Sequence, residues 1–363
     1  MQLLNFRKET SERSDATNWA KQQLISETGL FFEGVEGCNQ NDQNQTTHLF
    51  ERAQVDIDFQ GKKDKQKVLS SIIELETEEG LQRKVNFASC FGLPLSYVLH
   101  NDASGYVFIL EFRNTQDAEI VNSFNSYKTF GQYLAYIKGW KSTKKFRAYD
   151  DLPLIDKVLR KCGTPWPTNI DCFCSDSKGE PVAIIEYQNA KAIGVLQHSN
   201  NDYFLCKQKT TVKTEIGARV VYHDDIRRWT SQELLRVQSG LPLVVVTWSQ
   251  KESHFQLKEV EKITFPDFEM DTPSGRWQRM AAYKDDLHRF ALDPTESDFQ
   301  VICNRKSMSY IKENNAVLEK KHKAPLTMYK KTFPHIYWRR KAIVSDSRES
   351  LSALFTSWYR DIP

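Results

Sequence analysis

The sequence predicts an α/β protein built of two related units, each with a central mixed sheet flanked by helices, and a basic, mainly helical C-terminal region. Two segments more than a hundred residues apart share a strand–turn–strand pattern that carries carboxylates. Each is followed by a helical stretch and then by similar residues, FGLPLSYVLHND from Phe91 and SGLPLVVVTWSQ from Ser239. Beyond Pro266 the pattern becomes helical and basic. These observations predict a first unit over residues 1–148, a second unit over residues 149–266 and the basic C-terminal region over residues 267–363.

The first unit opens with an amphipathic helix within the first thirty residues, followed by a polar loop around Cys38–His48. The segments VDIDF and SIIELE have the pattern of two strands, which predicts a hairpin over Val55–Glu76. The pattern of the following residues, Glu79–Cys90, predicts a helix. The residues after Gly92 then predict a strand, beside which a second apolar strand is expected. The first unit is expected to close near residue 145.

The second unit begins with a short helix that ends at Gly163, and Pro165 and Pro167 force an extended entry into the next strand. Asn169–Gln188 then predicts a hairpin whose turn contains Gly179. An insertion between this hairpin and the next helix favours an extra hairpin. The helix ends at Gly240, and LPLVVVTW is apolar throughout, as expected of a strand covered on both faces.

The two predicted hairpins place an aspartate and a glutamate at nearly equal spacing. Fifteen residues separate Asp171 from Glu186, and sixteen separate Asp58 from Glu74. Because side chains alternate along a strand, Asp171 and Glu186 can lie on one face of a hairpin, near enough to share a cation. Two close carboxylates in a partly dry site repel each other unless a cation compensates them, and Mg²⁺ prefers such oxygen ligands. The pattern therefore favours metal-dependent phosphodiester hydrolysis. Exposed acids on ordinary hairpins are the alternative for the motif taken alone.

The PD-(D/E)XK nuclease superfamily has a characteristic sequence pattern. An Asp is followed by a spacer and then by Glu-x-Lys after an apolar run, and a helix and another apolar strand come next. This chain resembles that superfamily over residues 165–250 and again over residues 54–102. The resemblance implies tandem restriction-endonuclease-like units. The sequence departs from the motif at its lysine, which is replaced by Gln188 in the second segment and by Glu76 in the first.

The resemblance implies roles for particular residues. Asp171 and Glu186 would bind Mg²⁺ or Mn²⁺, Gln188 would orient the attacking water, and Lys191 would stabilise negative charge. The missing motif charge could instead come from Arg227 and Arg228 in the second segment, or from Arg83 and Lys84 in the first. A possible second site, either active or degenerate, comprises Asp58, Glu74 and Glu76. Asp156 on the preceding helix is expected to be an exposed acid or a distant member of the site.

Charge is distributed unevenly along the chain. The net charge is +3, but residues 305–341 hold eleven of the 50 basic residues and two of the 47 acidic ones. Aromatic residues are interleaved with these cations, which favours contact with phosphates and unpaired bases over a merely solvated helix. The candidate nucleic-acid-binding residues are Lys320, Lys321, Lys323, Lys330, Lys331, Arg339, Arg340 and Lys341.

Several classes of protein are disfavoured by the sequence. It has no basic-then-apolar N-terminal segment typical of secretion and no apolar run long enough to span a membrane. The seven cysteines are scattered and contain no Cys-x-x-Cys pair, which favours free thiols in a reducing cytoplasm. No phosphate-binding glycine loop or nucleophile elbow is present.

The sequence thus favours an enzyme, a metal-dependent endonuclease that hydrolyses DNA, and the family resemblance suggests a role in restriction or defence. One alternative is a catalytically inactive nuclease-fold protein that binds nucleic acid through its basic region. Another is a scaffold that binds other proteins. The oligomeric state is left open.

Overall fold

A computed structural model describes residues 6–8, 28–41, 43, 45–55, 65–139, 141, 152–189, 195, 208–214, 217–223, 226–249, 252–264, 335–345 and 348–359. The α/β part of the predicted fold class is confirmed, since the described residues form a large mixed sheet of eleven strands flanked by helices. Within the described ranges, no helix has the length and apolar character needed to cross a membrane.

The chain divides into two compact units. The first comprises Met1–Glu186, Val237–Leu241 and Phe355–Pro363, and the second comprises Tyr187–Arg236 and Pro242–Leu354.

Eight strands belong mainly to the first unit. They are β1 (Phe6–Lys8), β2 (Phe31–Gln40), β3 (Thr46–Val55), β4 (Leu95–His100), β5 (Val107–Phe112), β6 (Ala118–Phe124), β7 (Thr168–Ser175) and β8 (Pro181–Asn189). Their order is β8-β7-β2-β3-β4-β5-β6, and β1 lies along the end of β3. Neighbouring strands are antiparallel except for β3 and β4, which are parallel and joined by helices. Such a connection is required because two parallel strands cannot be joined by a tight turn.

Four helices accompany these strands: α1 (Lys65–Glu76), α2 (Glu78–Ser89), α3 (Tyr127–Lys138) and α4 (Leu154–Lys161). The N-terminus of α2 is capped by Thr77, whose hydroxyl accepts a hydrogen bond from the backbone N–H of Gly80 at 3.1 Å. The α3 helix starts at a Ser126 cap and ends at Gly139, which takes the left-handed conformation that favours glycine. Local capping signals therefore set the ends of the helices that cover the sheet.

The predicted first hairpin is wrong, because its second strand, SIIELE, is the end of helix α1. These six residues fit a strand when apolar and polar positions are read as alternating. They fit a helix when the apolar positions are considered together with those of the preceding residues, three and four positions apart. Helix is favoured because Val68 and Ile72, four residues apart, are both fully buried on one side of α1. Straight-chain Lys, Gln and Glu residues support the same choice.

The polar loop predicted at Cys38–His48 is also wrong over most of its length, because β2 continues to Gln40 and β3 begins at Thr46. The polar side chains are accommodated by specific partners. Asn39 Nδ2 donates to Thr47 Oγ1 at 2.7 Å and to the carbonyl oxygen of Ile137 at 3.1 Å. A buried amide with such partners is compatible with a strand.

The second unit contains a separate antiparallel hairpin of β9 (Gln208–Thr214) and β10 (Gly217–His223), so the predicted extra hairpin is confirmed. Helix α5 (Ile226–Ser239) leads to the antiparallel strands β11 (Leu243–Ser249), β12 (Glu252–Thr264) and β13 (His335–Ser345). Val244, Val245 and Val246 are all fully buried, as predicted for a strand covered on both faces. Helix α6 (Arg348–Tyr359) follows β13.

Candidate active site

The hairpin of β7 and β8 is present as predicted. Its turn is built by Asp176, whose Oδ1 accepts hydrogen bonds from the backbone N–H groups of Lys178 and Glu180 at 2.8 and 2.9 Å. Gly179 has a φ of 83°, a left-handed conformation that a side chain would strain. A turn fixed by the side chain of one of its own residues sets the register of the two strands that it joins.

This register brings the two predicted metal ligands together. Cys172 pairs with Ile185 in the antiparallel ladder. The next position along the ladder therefore sets Asp171 opposite Glu186, and opposite residues of an antiparallel pair share a face. Asp171 and Glu186 are buried, with 9% and 1% of their surfaces exposed. The hairpin thus carries two acidic side chains on one face in a largely dry environment.

The same face of β7 is covered by helix α2. Phe173, two residues beyond Asp171, stacks on Phe87 of α2 with ring centroids 4.3 Å apart. Alternation along the strand places Asp171 on the side of Phe173. Cys172, by contrast, belongs to the opposite side and is buried with a free thiol. The aromatic stack therefore lies on the face of β7 that carries Asp171.

Of the other residues predicted for this site, three lie on described elements and one does not. Gln188 lies on β8 two residues beyond Glu186, so it shares that side chain's face, and it is half-buried. Arg227 and Arg228 lie in the first turn of α5. Lys191 falls outside the described residues.

The acidic pair supplies part of a metal site. Two carboxylates on one face fit a hard divalent cation that keeps several waters. In the part of the chain that the structure describes, no group of three or more His, Cys, Asp or Glu side chains could hold a metal ion.

Hairpin β2–β3 has the same turn as β7–β8. Asn41 Oδ1 accepts from the backbone N–H groups of Gln43 and Gln45 at 3.0 and 2.9 Å. The turn is closed by a backbone hydrogen bond from Asn41 N–H to Gln45 O at 2.9 Å, matched by one from Asp176 N–H to Glu180 O at 2.9 Å. The described hydrogen-bonding residues of the first turn, Asn41, Gln43 and Gln45, thus correspond to residues of the second turn at a constant separation of 135 positions.

The same separation relates Asp171 to Glu36 and Glu186 to Glu51. Gly37 pairs with Phe50 in the ladder, so the next position sets Glu36 opposite Glu51. Both glutamates are buried, Glu51 completely. Sequence reasoning missed this pair because it located the first hairpin too late in the chain. The turn residues Asn41 and Asp176, each followed ten residues later by a glutamate, could have revealed it.

The residues of the predicted second site are not arranged as a hairpin. Glu74 and Glu76 lie on helix α1, where Glu74 is exposed and the side chain of Glu76 is 5% exposed. Asp58 lies outside the described residues. Of the two cations predicted to serve that site, Lys84 contacts both Glu51 and Glu76, whereas Arg83 pairs with Glu33.

Asp156 is neither exposed nor part of the acidic pair, and the prediction for it is wrong. It accepts two hydrogen bonds from the guanidinium of Arg52, at 3.0 and 3.1 Å, in a buried ion pair. Arg52 also lies over the ring of Trp166, with 4.6 Å between its Cζ and the ring centroid. This carboxylate fixes α4 to β3.

Part of the predicted nucleic-acid-binding region is described, and it is a strand rather than a helix. Arg339, Arg340 and Lys341 lie on β13. Both arginines contact Glu259, and the ammonium of Lys341 lies 5.6 Å from the ring centroid of Trp338. The other five candidates, Lys320, Lys321, Lys323, Lys330 and Lys331, lie outside the described residues.

Comparison with known proteins gives no match to this chain, whether against models of protein families, curated proteins or solved structures.

Proposed function

We propose that the protein is a metal-dependent endonuclease that hydrolyses DNA, with its active site on hairpin β7–β8. The observation that carries this proposal is the buried carboxylate pair, Asp171 opposite Glu186 on one face. Two carboxylates on one face provide the hard oxygen ligands that a divalent cation such as Mg²⁺ prefers. Gln188 on the same face adds a neutral amide that can hold a water.

Asp171 and Glu186 would hold Mg²⁺ or Mn²⁺ through their carboxylate oxygens. The bound ion would act as a Lewis acid and lower the pKa of a coordinated water. The amide of Gln188 would orient the attacking water, and the ammonium of Lys191 would balance charge on the phosphate. The water oxygen would lose a proton and add to phosphorus, the P–O ester bond would break, and the leaving oxygen would take up a proton, so that protons balance over the reaction. The products are a phosphomonoester and a free hydroxyl.

We further propose that the protein contains tandem nuclease-like units related by internal duplication. The matched turns and equally placed acidic pairs of β2–β3 and β7–β8 support this. After each hairpin, a helix ends before a glycine of positive φ, Gly92 or Gly240, and a buried strand follows. In this account the counterpart of Asp171 and Glu186 is the pair Glu36 and Glu51.

The proposed partner is DNA, which would contact the basic residues of β13. Among these, the side chain of Arg339 is 70% exposed, compared with 36% for that of Arg340. Its guanidinium can contact a phosphate at the surface while Arg340, which also contacts Glu259, remains closer to the sheet. Phosphate contacts of this kind provide affinity without sequence specificity.

Cleavage of supercoiled plasmid, single-stranded DNA and RNA in Mg²⁺, Mn²⁺ or EDTA tests the proposal. We expect metal-dependent cleavage of DNA that is lost in Glu186→Gln. The matched control is Glu180→Gln, which removes an exposed glutamate from the turn of the same hairpin and should retain activity. Equal activity of wild type and Glu186→Gln would contradict the assignment.

A second candidate function is binding of nucleic acid without catalysis. It is favoured by the absence of a third metal-ligating side chain beside the acidic pair among the described residues, and by Gln188 at the motif lysine. This alternative predicts salt-sensitive binding, no cleavage in any metal, and unchanged affinity in Asp171→Asn.

A further inference from the structure

The ladder between β12 and β13 contains a β-bulge at Arg339. Val260 pairs with Trp338 and Glu259 pairs with Arg340, so two steps along β13 match one step along β12. A bulge of this kind changes the face of the sheet on which the following side chains lie. Simple alternation along β13 therefore does not give the arrangement of its cations.

The bulge places two successive arginines on one face of the sheet. Arg340 shares the face of Glu259, because opposite residues of an antiparallel pair lie on the same side. Trp338 lies on the other face with its partner Val260, and Arg339 follows Trp338 directly, so alternation returns Arg339 to the face of Glu259. The contacts agree, since Arg340 Nε donates to Glu259 Oε2 at 2.8 Å and Arg339 Nη1 donates to Glu259 Oε1 at 3.2 Å.

Lys341 lies on the opposite face. It pairs with Lys258, and the ammonium groups of Lys258 and Lys341 lie 4.6 and 5.6 Å from the ring centroid of Trp338. The three described cations predicted to bind nucleic acid are therefore divided, with two arginines on one face of β13 and one lysine on the other.

The face of Glu259 has an excess of positive charge at its surface. The side chain of Glu259 is 2% exposed, and its Oε2 lies 2.8 Å from Nε and 2.7 Å from Nη2 of Arg340. One guanidinium balances one carboxylate, so the charge of Arg339 is in excess, and its side chain is 70% exposed. The contact of Arg339 with Glu259 uses one N–H donor of the guanidinium, and the others can donate to a ligand.

A further cation lies beside Arg339 on this face. Tyr337 is two residues before Arg339 and therefore shares its face. Lys262 is opposite Tyr337 in the ladder, and its ammonium lies 5.0 Å from the centroid of the tyrosine ring. Lys262 is exposed. Arg339 and Lys262 thus present two positive charges on one exposed face of β12 and β13.

We propose that Arg339 and Lys262 form a phosphate-binding surface for the backbone of DNA, and that Lys341 lies outside it. The guanidinium of Arg339 supplies planar N–H donors that match phosphate oxygens, and the ammonium of Lys262 supplies a second positive charge. This inference rests on the proposed function for the identity of the ligand, but it requires neither a metal nor cleavage.

The test is binding of a labelled DNA duplex in EDTA, measured by fluorescence anisotropy at several salt concentrations. One lost phosphate contact lowers the affinity roughly tenfold at about 50 mM salt and reduces the slope of log K against log salt concentration by about 0.9. We expect this change for Arg339→Gln and for Lys262→Gln, and about twice the change in slope for the double variant. Lys341→Gln is the matched control, because it removes an exposed cation from the opposite face of the same strand and should bind as the wild type does.

The outcomes separate this inference from the endonuclease proposal. Unchanged affinity in Lys262→Gln, an equal loss in Lys341→Gln, or no binding by the wild type at low salt would overturn the phosphate-binding surface. Cleavage that is lost in Glu186→Gln, with binding unaffected by Lys262→Gln, would reject the surface and leave the endonuclease proposal standing. Binding that is weakened in Lys262→Gln, with no cleavage by the wild type in any metal, would support the surface and reject the endonuclease.

Discussion

Asp156→Asn should destabilise the first unit strongly, because it removes one charge from a buried ion pair. The guanidinium of Arg52 is fully buried and donates to both oxygens of Asp156, at 3.0 and 3.1 Å. At an effective dielectric constant of about 20, charges at such a distance attract by roughly 5 kcal/mol. Removing one partner of a buried pair costs about 3–5 kcal/mol.

The carboxylate of Glu36 affects how much unfolding free energy Asp156→Asn should lose within the range of about 3–5 kcal/mol. It lies 3.8 Å from Nε of Arg52 and remains after the substitution. Part of the compensation for the guanidinium is therefore retained, and we expect a loss near the lower end, about 3 kcal/mol.

Urea unfolding at neutral pH, followed by tryptophan fluorescence, measures this loss as a shift of the midpoint at constant slope. Asp117→Asn is the matched control, since Asp117 and Lys65 form an exposed pair whose removal should leave the midpoint unchanged. A loss of unfolding free energy in Asp156→Asn below about 1 kcal/mol, or no larger than the loss in Asp117→Asn, would contradict a stabilising role for this ion pair.

Four further predictions follow from the same contacts. Lys84→Met leaves Glu51 and Glu76 with less compensation and should lower the free energy of unfolding by about 3 kcal/mol, measured by urea unfolding. Because the pKa of Glu76 lies near 2 in the folded protein and near 4.5 unperturbed, the stability it contributes should be present above pH 4.5 and decline as the pH falls toward 2, measured by urea midpoints across that interval. Asn41→Ala and Asp176→Ala should each cost about 1–2 kcal/mol, and unequal losses measured by urea unfolding would contradict the equivalence of the two turns. Arg339→Gln should weaken DNA binding and reduce the salt dependence of log K by about one unit, measured by fluorescence anisotropy at several salt concentrations.

The hairpin of β7 and β8 was predictable because its signals are local. Pro165 and Pro167 force extended backbone before β7, and Asp176 and Gly179 define a turn whose geometry sets the register. Once that register is known, the position of Asp171 opposite Glu186 follows from alternation alone. The fold class and the extra hairpin β9–β10 were predicted from similar short-range patterns.

The first hairpin was mislocated because its true strands carry no such apolar pattern near the turn. The end of β2 is polar, and Asn39 is tolerated there because Thr47 and the carbonyl of Ile137 satisfy its amide. Ile137 lies 98 positions away along the chain, so the sequence near Asn39 holds no sign of this partner. The neighbouring SIIELE segment alternates like a strand but is helical because α1 buries Val68 and Ile72 together.

The ionic contacts escaped prediction for the same reason. Arg52 and Asp156 are separated by 104 positions, and Lys8 and Glu76 by 68. Their pairing follows from the sheet order and from the strand β1, neither of which is encoded in local periodicity. The presence of charged residues at strand and helix positions was visible in the sequence, but their burial was not.

The location of the active site can be tested by comparing Mg²⁺-dependent plasmid cleavage by Glu186→Gln and Glu51→Gln, two substitutions at corresponding positions of the two hairpins. We predict that Glu186→Gln abolishes cleavage while folded Glu51→Gln retains it, because the proposed metal ligands are Asp171 and Glu186 of hairpin β7–β8. Retained cleavage in Glu186→Gln, or its loss in Glu51→Gln alone, would contradict the assignment of the active site to Asp171 and Glu186.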